Sequence, residues 1–351
     1  MPRYAVDGKE EVKGDKLDRI AAILKPQYRS RRTGERFDCL DDDLRRRFGI
    51  VDTANVSDNP YHLPALQLFA RHERGLVADI GAGKRTEQLP QVVNVEVVPY
   101  DSTDVMAVAE CLPFEDAVFD AVHSNAVLEH VKDPFACAAE ILRVLKPGGE
   151  LMCCVPFLQP YHGYPNHYYN MTHQGLANLF PGVEVLGVDV YEELRPITAL
   201  QWIIGAWASG LSEQSASEFL DLRLRDIVTR PYSALAQARC VIELSAARNH
   251  ELACANTLFA RKPDTRESAL LEIVRAAYGS GAAWLDATAV VRGLAGRDRL
   301  FISCARELEP LFGDPAPGVA KELRIAWRRG ERGGEIAAAE LNGRLRTPLW
   351  L

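Results

Sequence analysis

The chain has 351 residues, 47% of them hydrophobic, which is enough for two or three domains with a sizeable core. Its net charge of -7 provides no global basic field for nucleic acid or an anionic membrane surface. Eight cysteines without a CxxC pair argue against a disulfide framework and a zinc site. No stretch approaches the ~18 apolar residues of a membrane span. The charged N-terminus lacks the apolar segment of a secretion signal, so a reducing, cytoplasmic compartment is expected.

Residues 1–50 alternate in charge sign, with Arg29, Arg31 and Arg32, then Asp41 to Asp43, then Arg45 to Arg47. They read as a solvated arm with one or two helices; a lid or dimer contact is the alternative. Tyr61 to His72 predicts a helix with Leu66, Phe69 and Ala70 on its apolar face. Gly75 to Lys84 (GLVADIGAGK) predicts a short buried strand running into Asp79 and a turn on Gly81 and Gly83. Two glycines there let the backbone bend tightly and approach a ligand. No Gly-Lys-Ser/Thr follows, and the third glycine of a dinucleotide fingerprint would fall at Thr86. Val92 to Val98 reads as a second strand carrying Glu96, and Glu110 to Phe114 as a loop able to close over a flat ring. Phe119 to Asn125 is a further strand, followed by Glu129 and His130. Pro134 to Leu145 is a helix stopped by Lys146-Pro147-Gly148-Gly149, and Glu150 to Phe157 is the next strand. Strands alternating with helices predict a parallel sheet with helices on both faces, whose ligands bind beyond the strands' carboxyl ends.

In order, VADIGAGK, Glu96, LPFEDAVFDAV, NAVLEHVKDP and EILRVLKPGGELMCCVPF resemble a class I S-adenosylmethionine-dependent methyltransferase. The likeness covers about Val77 to Phe157. It is nearest the type 11 branch, common among glycan-modifying and small-molecule enzymes. The resemblance implies an α/β, doubly wound, mostly parallel Rossmann-like sheet with S-adenosylmethionine as cofactor. It also implies that Asp79, Gly81 and Gly83 lie against the cofactor's methionine part and that Glu96 binds the ribose hydroxyls. Ala109 and Glu110 would follow the adenine edge, Asn125 would contact the methionine end, and His130 would lie near the pocket. Two departures stand out. Val108-Ala109 replaces the family's Asp-Ala, which removes a polar adenine contact unless Glu110 substitutes. The glycine turn is GAGK rather than GxGxG, which puts Lys84 next to it.

Pro156 to Phe180 carries Tyr161, His162, Tyr164, His167, Tyr168, Tyr169 and His173. Flat faces with polar tips suit a hydroxylated ring substrate. Methyl transfer from a sulfonium needs mainly alignment, and an oxygen acceptor benefits from a base. His162 or His167 is the candidate base, with Tyr168 as a positioning group; the plainer alternative is that these histidines only fix the loop. A metal is not expected, because no carboxylate or cysteine joins the histidines at ligand spacing.

Val183 to Val190 alternates enough to predict a strand. Ile197 to Leu211 is an apolar helix suited to a partner subunit or a substrate channel. Leu220 to Ile227 and Ser233 to Cys240 read as helical, and Asn256 to Arg261 as a last strand. The methyltransferase domain is placed at 51–262, with a linker at Lys262 to Arg266. Residues 263–351 read as a small β-rich binding or assembly domain. It resembles a β module at the C-terminal end of some J-domain co-chaperones, which implies no catalytic residues. The expected partners are a small-molecule or glycan acceptor and a second copy of the chain, through the Ile197–Leu211 helix or the C-terminal domain. A non-catalytic scaffold on the same fold and a nicotinamide-dependent enzyme are the competing readings. Nucleic acid is not expected, since no basic stripe accompanies the aromatics.

Overall fold

Short apolar runs separated by turn residues build a seven-stranded sheet in the N-terminal half of the computed structural model. The structure describes residues 9–51, 57–58, 60–163, 166–191, 194–256, 270–304, 306–341 and 343–351. Two compact units divide the chain, Met1–Ile203 and Ile204–Leu351.

In order, the first unit holds α1 (Lys9–Ile23), β1 (Arg32–Thr33), β2 (Arg36–Asp38), α2 (Asp42–Phe48), α3 (Leu63–Arg71) and β3 (Val77–Ile80). It continues with β4 (Val92–Glu96), β5 (Val105–Met106), β6 (Phe119–Asn125), α4 (Pro134–Val144), β7 (Leu145–Cys154), α5 (His173–Asn178) and the start of α6 (Pro196–Ser209). The strand order is β1-β2-β5-β4-β3-β6-β7, and every neighbouring pair is parallel except β1 with β2. All four residues of β3 are buried, as expected for the centre of a parallel sheet covered on both faces. Asp133 caps α4 by accepting from the Ala136 N–H, and Pro134 occupies the first helical turn, where its missing N–H costs nothing. Cys137, Ala138, Ile141 and Val144 then fall on the one helical face that packs on the sheet.

The described part of the first fifty residues is not a solvated arm. Leu17, Ile20 and Leu24 are buried in the main core, with Phe37 of β2 beside them. Their spacing is helical, but it is hidden among charges that occupy the outer face. Lys16 is buried as well, paired with Asp104 at 2.6 Å. The segment thus supplies an edge of the sheet rather than a lid.

Val183 to Val190 is a second departure. It pairs with no strand among the described residues, and Leu186 is 86% exposed. Alternation alone does not make a strand without a neighbouring surface to pack against. Residues 257–261 of the expected last strand and the expected linker lie outside the described residues.

The second unit begins with short helices, α7 (Glu213–Leu220), α8 (Leu224–Thr229), α9 (Tyr232–Leu235), α10 (Arg239–Ile242) and α11 (Ala246–Glu251). After them come β8 (Leu271–Ser280), β9 (Ala283–Asp286), α12 (Thr288–Leu294), β10 (Phe301–Ile302) and α13 (Glu309–Phe312). Last are β11 (Glu322–Arg329), β12 (Arg332–Leu341), β13 (Arg344–Leu345) and β14 (Leu349–Trp350). Five of these strands form an antiparallel sheet in the order β13-β12-β11-β8-β9, as the β-rich texture predicts. Tyr278 is buried at its centre and donates to Glu340 Oε2 at 2.5 Å, so its hydroxyl is satisfied inside the core. Among the described residues, no helix is long and apolar enough to cross a membrane.

Replacing Ile20 with Ala should cost about 2–5 kcal/mol, read as a lower urea midpoint at unchanged slope. A solvated arm would instead shift by less than about 0.5 kcal/mol.

Candidate functional site

The end of β3 sets the site. Gly81 and Gly83 take positive φ angles of 66° and 65°, a region that side chains disfavour. Space excludes a side chain as well. A Cβ on Gly81 would stand 2.4 Å from Val127 Cγ2, and one on Gly83 would stand 2.6 Å from the Ser57 carbonyl oxygen. The two glycines therefore let the turn settle against two other loops.

Asp79 faces the other way. In register, Asn94 of β4, Asp79 of β3 and His123 of β6 stand side by side on one face of the sheet. Asp79 Oδ1 accepts from His123 Nδ1 at 2.7 Å, and Oδ2 accepts from the Tyr61 hydroxyl at 2.8 Å and Arg85 Nε at 3.1 Å. Arg85 also lies over the Tyr61 ring, 4.1 Å from its centroid. Burial alone would raise the Asp79 pKa, but the His123 hydrogen bond and the His123 and Arg85 charges outweigh it and hold the carboxyl below its usual range. The sequence reading set Asp79 against the cofactor. In the structure it is fully buried, does not line the cleft, and ties β3 to β6 and to Tyr61 and Arg85. No role is expected from the sequence for Tyr61 or Arg85, and His123 stands out only as a strand-end residue; the alternation of faces along neighbouring strands is the signal that joins them.

The other expected cofactor residues share one open cleft of about 2350 Å³ at the carboxyl ends of the strands. Gly81, Gly83, Glu96, Ala109, Glu110, Asn125 and His130 all line it. Glu96 Oε2 accepts from the Gly83 N–H at 2.8 Å and Oε1 from the Val97 N–H at 2.6 Å, so the second strand's acid braces the glycine turn. Burial raises its pKa, and those N–H groups offset part of the rise. Burial also raises Glu110, which lies beside the cleft. Val108 packs with Leu40 and Met106 in an apolar cluster and offers no polar contact. Leu112 and Phe114 are core residues, so their loop does not close over a ligand. After Asn125, Ala126 adopts a φ of 55°, and its N–H donates to the Cys154 carbonyl, which links β6 to β7.

The aromatic loop brings His162 and Tyr168 to the same cleft, but not His167. His167 Nδ1 accepts from the His162 N–H at 3.1 Å, and its Nε2 pairs with Asn170 Oδ1 at 2.7 Å. Both nitrogens are committed, so His167 fixes the loop. His162 Nδ1 pairs with the Pro160 carbonyl at 2.9 Å, which leaves Nε2 with a lone pair. Burial lowers the pKa of His162 and of His130, partly offset by the carbonyls each bonds, which favours the neutral rings. Tyr164 lies outside the described residues.

Residues 78–153 match the family model described as a methyltransferase domain. The chain carries a class I S-adenosylmethionine-dependent methyltransferase domain. Over 57 residues it is 44% identical to an uncharacterized methyltransferase of Schizosaccharomyces pombe, covering 16% of this chain and 20% of that protein. Over 90 residues it is 42% identical to the ubiquinone/menaquinone biosynthesis C-methyltransferase of Shewanella halifaxensis, covering 26% of this chain and 36% of that one. The chain thus spans about a fifth to a third of the length of these relatives. It is also similar to a methyltransferase structure from Thermotoga maritima, at 22% identity and a TM-score of 0.24 over 33% of this chain and 68% of that one. The methyltransferase domain implies S-adenosylmethionine, and the donor set fits it. The glycine turn borders the cleft, and carboxylates stand at both Glu96 and Glu110 for hydroxyl and amine groups.

Asp79→Asn should destabilise the fold by about 3–5 kcal/mol, because Arg85 and His123 lose a buried counter-charge. Since the folded pKa is depressed, this contribution is present above about pH 4 and is lost as pH falls through the folded value. Melting curves from pH 3 to 7 should show that acid-side loss in the wild type and a much flatter profile in Asp79→Asn.

Proposed function

We propose that the chain transfers the methyl group of S-adenosylmethionine to an oxygen of a hydroxylated small molecule, a sugar or glycan being the leading class. One observation carries this reading. A single cleft is lined by the glycine turn, Glu96, Ala109, Glu110 and Asn125 together with His162 and Tyr168. Donor determinants and an imidazole–phenol wall thus face the same space.

In this reading the backbone of Gly81 and Gly83 and the side chain of Asn125 hold the methionine end. Glu96 accepts from the ribose hydroxyls, and Glu110 takes over the adenine contact that Val108 cannot make. Tyr168, 41% exposed, offers its ring to the acceptor. His162 Nε2 brings its lone pair to the acceptor side, and Trp202 lies 5.2 Å from the His162 ring centroid, adding apolar surface. The acceptor oxygen attacks the methyl carbon in line, the sulfur leaves with the bonding pair, and the acceptor's proton passes to His162 Nε2. The cleft supplies alignment, which is most of what a good leaving group requires. The C-terminal sheet acts as a binding or assembly module, whether or not it corresponds to the co-chaperone β module. On α6, Ile197 and Leu200 are exposed and suit contact with a second copy.

Titration calorimetry of the full chain should show heat with S-adenosylmethionine and S-adenosylhomocysteine and none with NAD. Glu96→Ala should weaken cofactor binding about 10–100-fold, the loss expected from two charge-assisted hydrogen bonds. No heat in the wild type, or unchanged affinity in Glu96→Ala, would overturn the reading. Labelled methyl transfer to a panel of nucleotide sugars and glycans then identifies the acceptor.

A further inference from the structure

Glu129 is a fully buried carboxylate, and neither of its oxygens has a hydrogen-bond partner among the described residues. Leaving a buried carboxylate unpaired is costly. Two imidazoles stand against it. His130 Nε2 lies 3.7 Å from Glu129 Oε1, and the His130 and His162 rings meet nearly at right angles, 5.2 Å apart. His130 Nδ1 pairs with the Asn166 carbonyl at 2.6 Å, as His162 Nδ1 does with that of Pro160. A carbonyl only accepts, so both Nδ1 atoms carry the proton and both Nε2 atoms keep a lone pair. Imidazoles that bind metals are oriented in this way, with the remote N–H held by a carbonyl. The ligand atoms of Glu129, His130 and His162 all lie within 4.8 Å of one another.

We propose that Glu129, His130 and His162 bind one divalent transition-metal ion at the wall of the cleft. Two imidazole nitrogens and one carboxylate oxygen suit zinc, iron, cobalt or manganese better than magnesium or calcium. Ligand atoms around such an ion stand about 3.0–3.5 Å apart for bonds of about 2.1 Å, so small side-chain rotations close the site. Three protein donors leave coordination positions free. His130 and His162 both line the cleft, and those positions open into it. Sequence spacing hides the set, because Glu129 and His130 follow β6 while His162 comes from the aromatic loop. Resting on the methyl-transfer reading, the ion would hold an acceptor that presents a hydroxyl beside a second oxygen, such as a vicinal diol. His162 would then act on the acceptor through the ion rather than as a free base.

The full chain, stripped with EDTA and dialysed against Co2+ or Zn2+, is assayed for bound metal by mass spectrometry and for affinity by calorimetry. One ion per chain is expected. Glu129→Gln and His162→Ala should each weaken binding at least tenfold and abolish the rise in melting temperature that the metal gives the wild type. His162 sits on a loop, so His162→Ala should melt like the wild type in EDTA. A wild type that binds no ion, or variants that bind it as tightly, would overturn the proposal. Titration with S-adenosylmethionine in EDTA reads the cofactor side separately, so failure of one reading is distinguishable from failure of the other.

Discussion

A carboxylate buried at the head of the central strand needs its charge compensated on every side, and much of the first unit is arranged to do this. Asp79 receives hydrogen bonds from His123 on one neighbouring strand, from Tyr61 ahead of α3 and from Arg85 beyond the glycine turn. Asn94, next to it on the other neighbouring strand, binds the Ser102 carbonyl and receives no charge of its own. The Asn94 N–H donates in turn to Asp104, which pairs with Lys16 of α1. Polar contacts thus run from the N-terminal helix to the middle of the sheet. Such a set stabilises only when every member is satisfied, which makes the register of the strands hard to slip.

This arrangement explains what could be read from the residues and what could not. Phe119–Asn125 appears as a strand because its apolar run is bounded by turns, and Pro134–Val144 as a helix because its cap, its proline and its apolar face agree. The tight turn at Gly81 and Gly83, which the structure makes with positive φ, was legible from glycine alone. The role of Asp79 was not, because an acid ahead of a glycine turn has the same spacing whether it faces ligand or core. Strand parity decides, and parity depends on neighbours that lie far away in sequence. The burial of Leu17 and Ile20 was masked for a related reason: their helix carries its charges outward, so composition reads as solvated. Val183–Val190 errs in the opposite sense, with a strand-like pattern that finds no described partner.

The aromatic loop is held more firmly than its composition suggests. The N–H groups of Tyr168 and Tyr169 both donate to the Glu129 carbonyl, and the Met171 N–H donates to that of Pro156. His130 bonds Asn166 in the same loop. His167 bridges the His162 backbone and the Asn170 side chain. A base candidate chosen by residue type is thus hydrogen-bonded at both ring nitrogens, and the imidazole beside it keeps its lone pair free. Choosing between two histidines five residues apart required the loop's hydrogen bonds, which no spacing rule supplies.

The glycine turn presses directly on Val127, which lies between Asn125 and Glu129. Asn125 and Glu129, which carry two of the proposed roles, thus stand on one short piece of chain packed against the turn. In the proposed methyl transfer, ordering that piece around one ligand would lower the cost of ordering it around the other. By thermodynamic reciprocity the help runs equally in both directions, whichever molecule enters first.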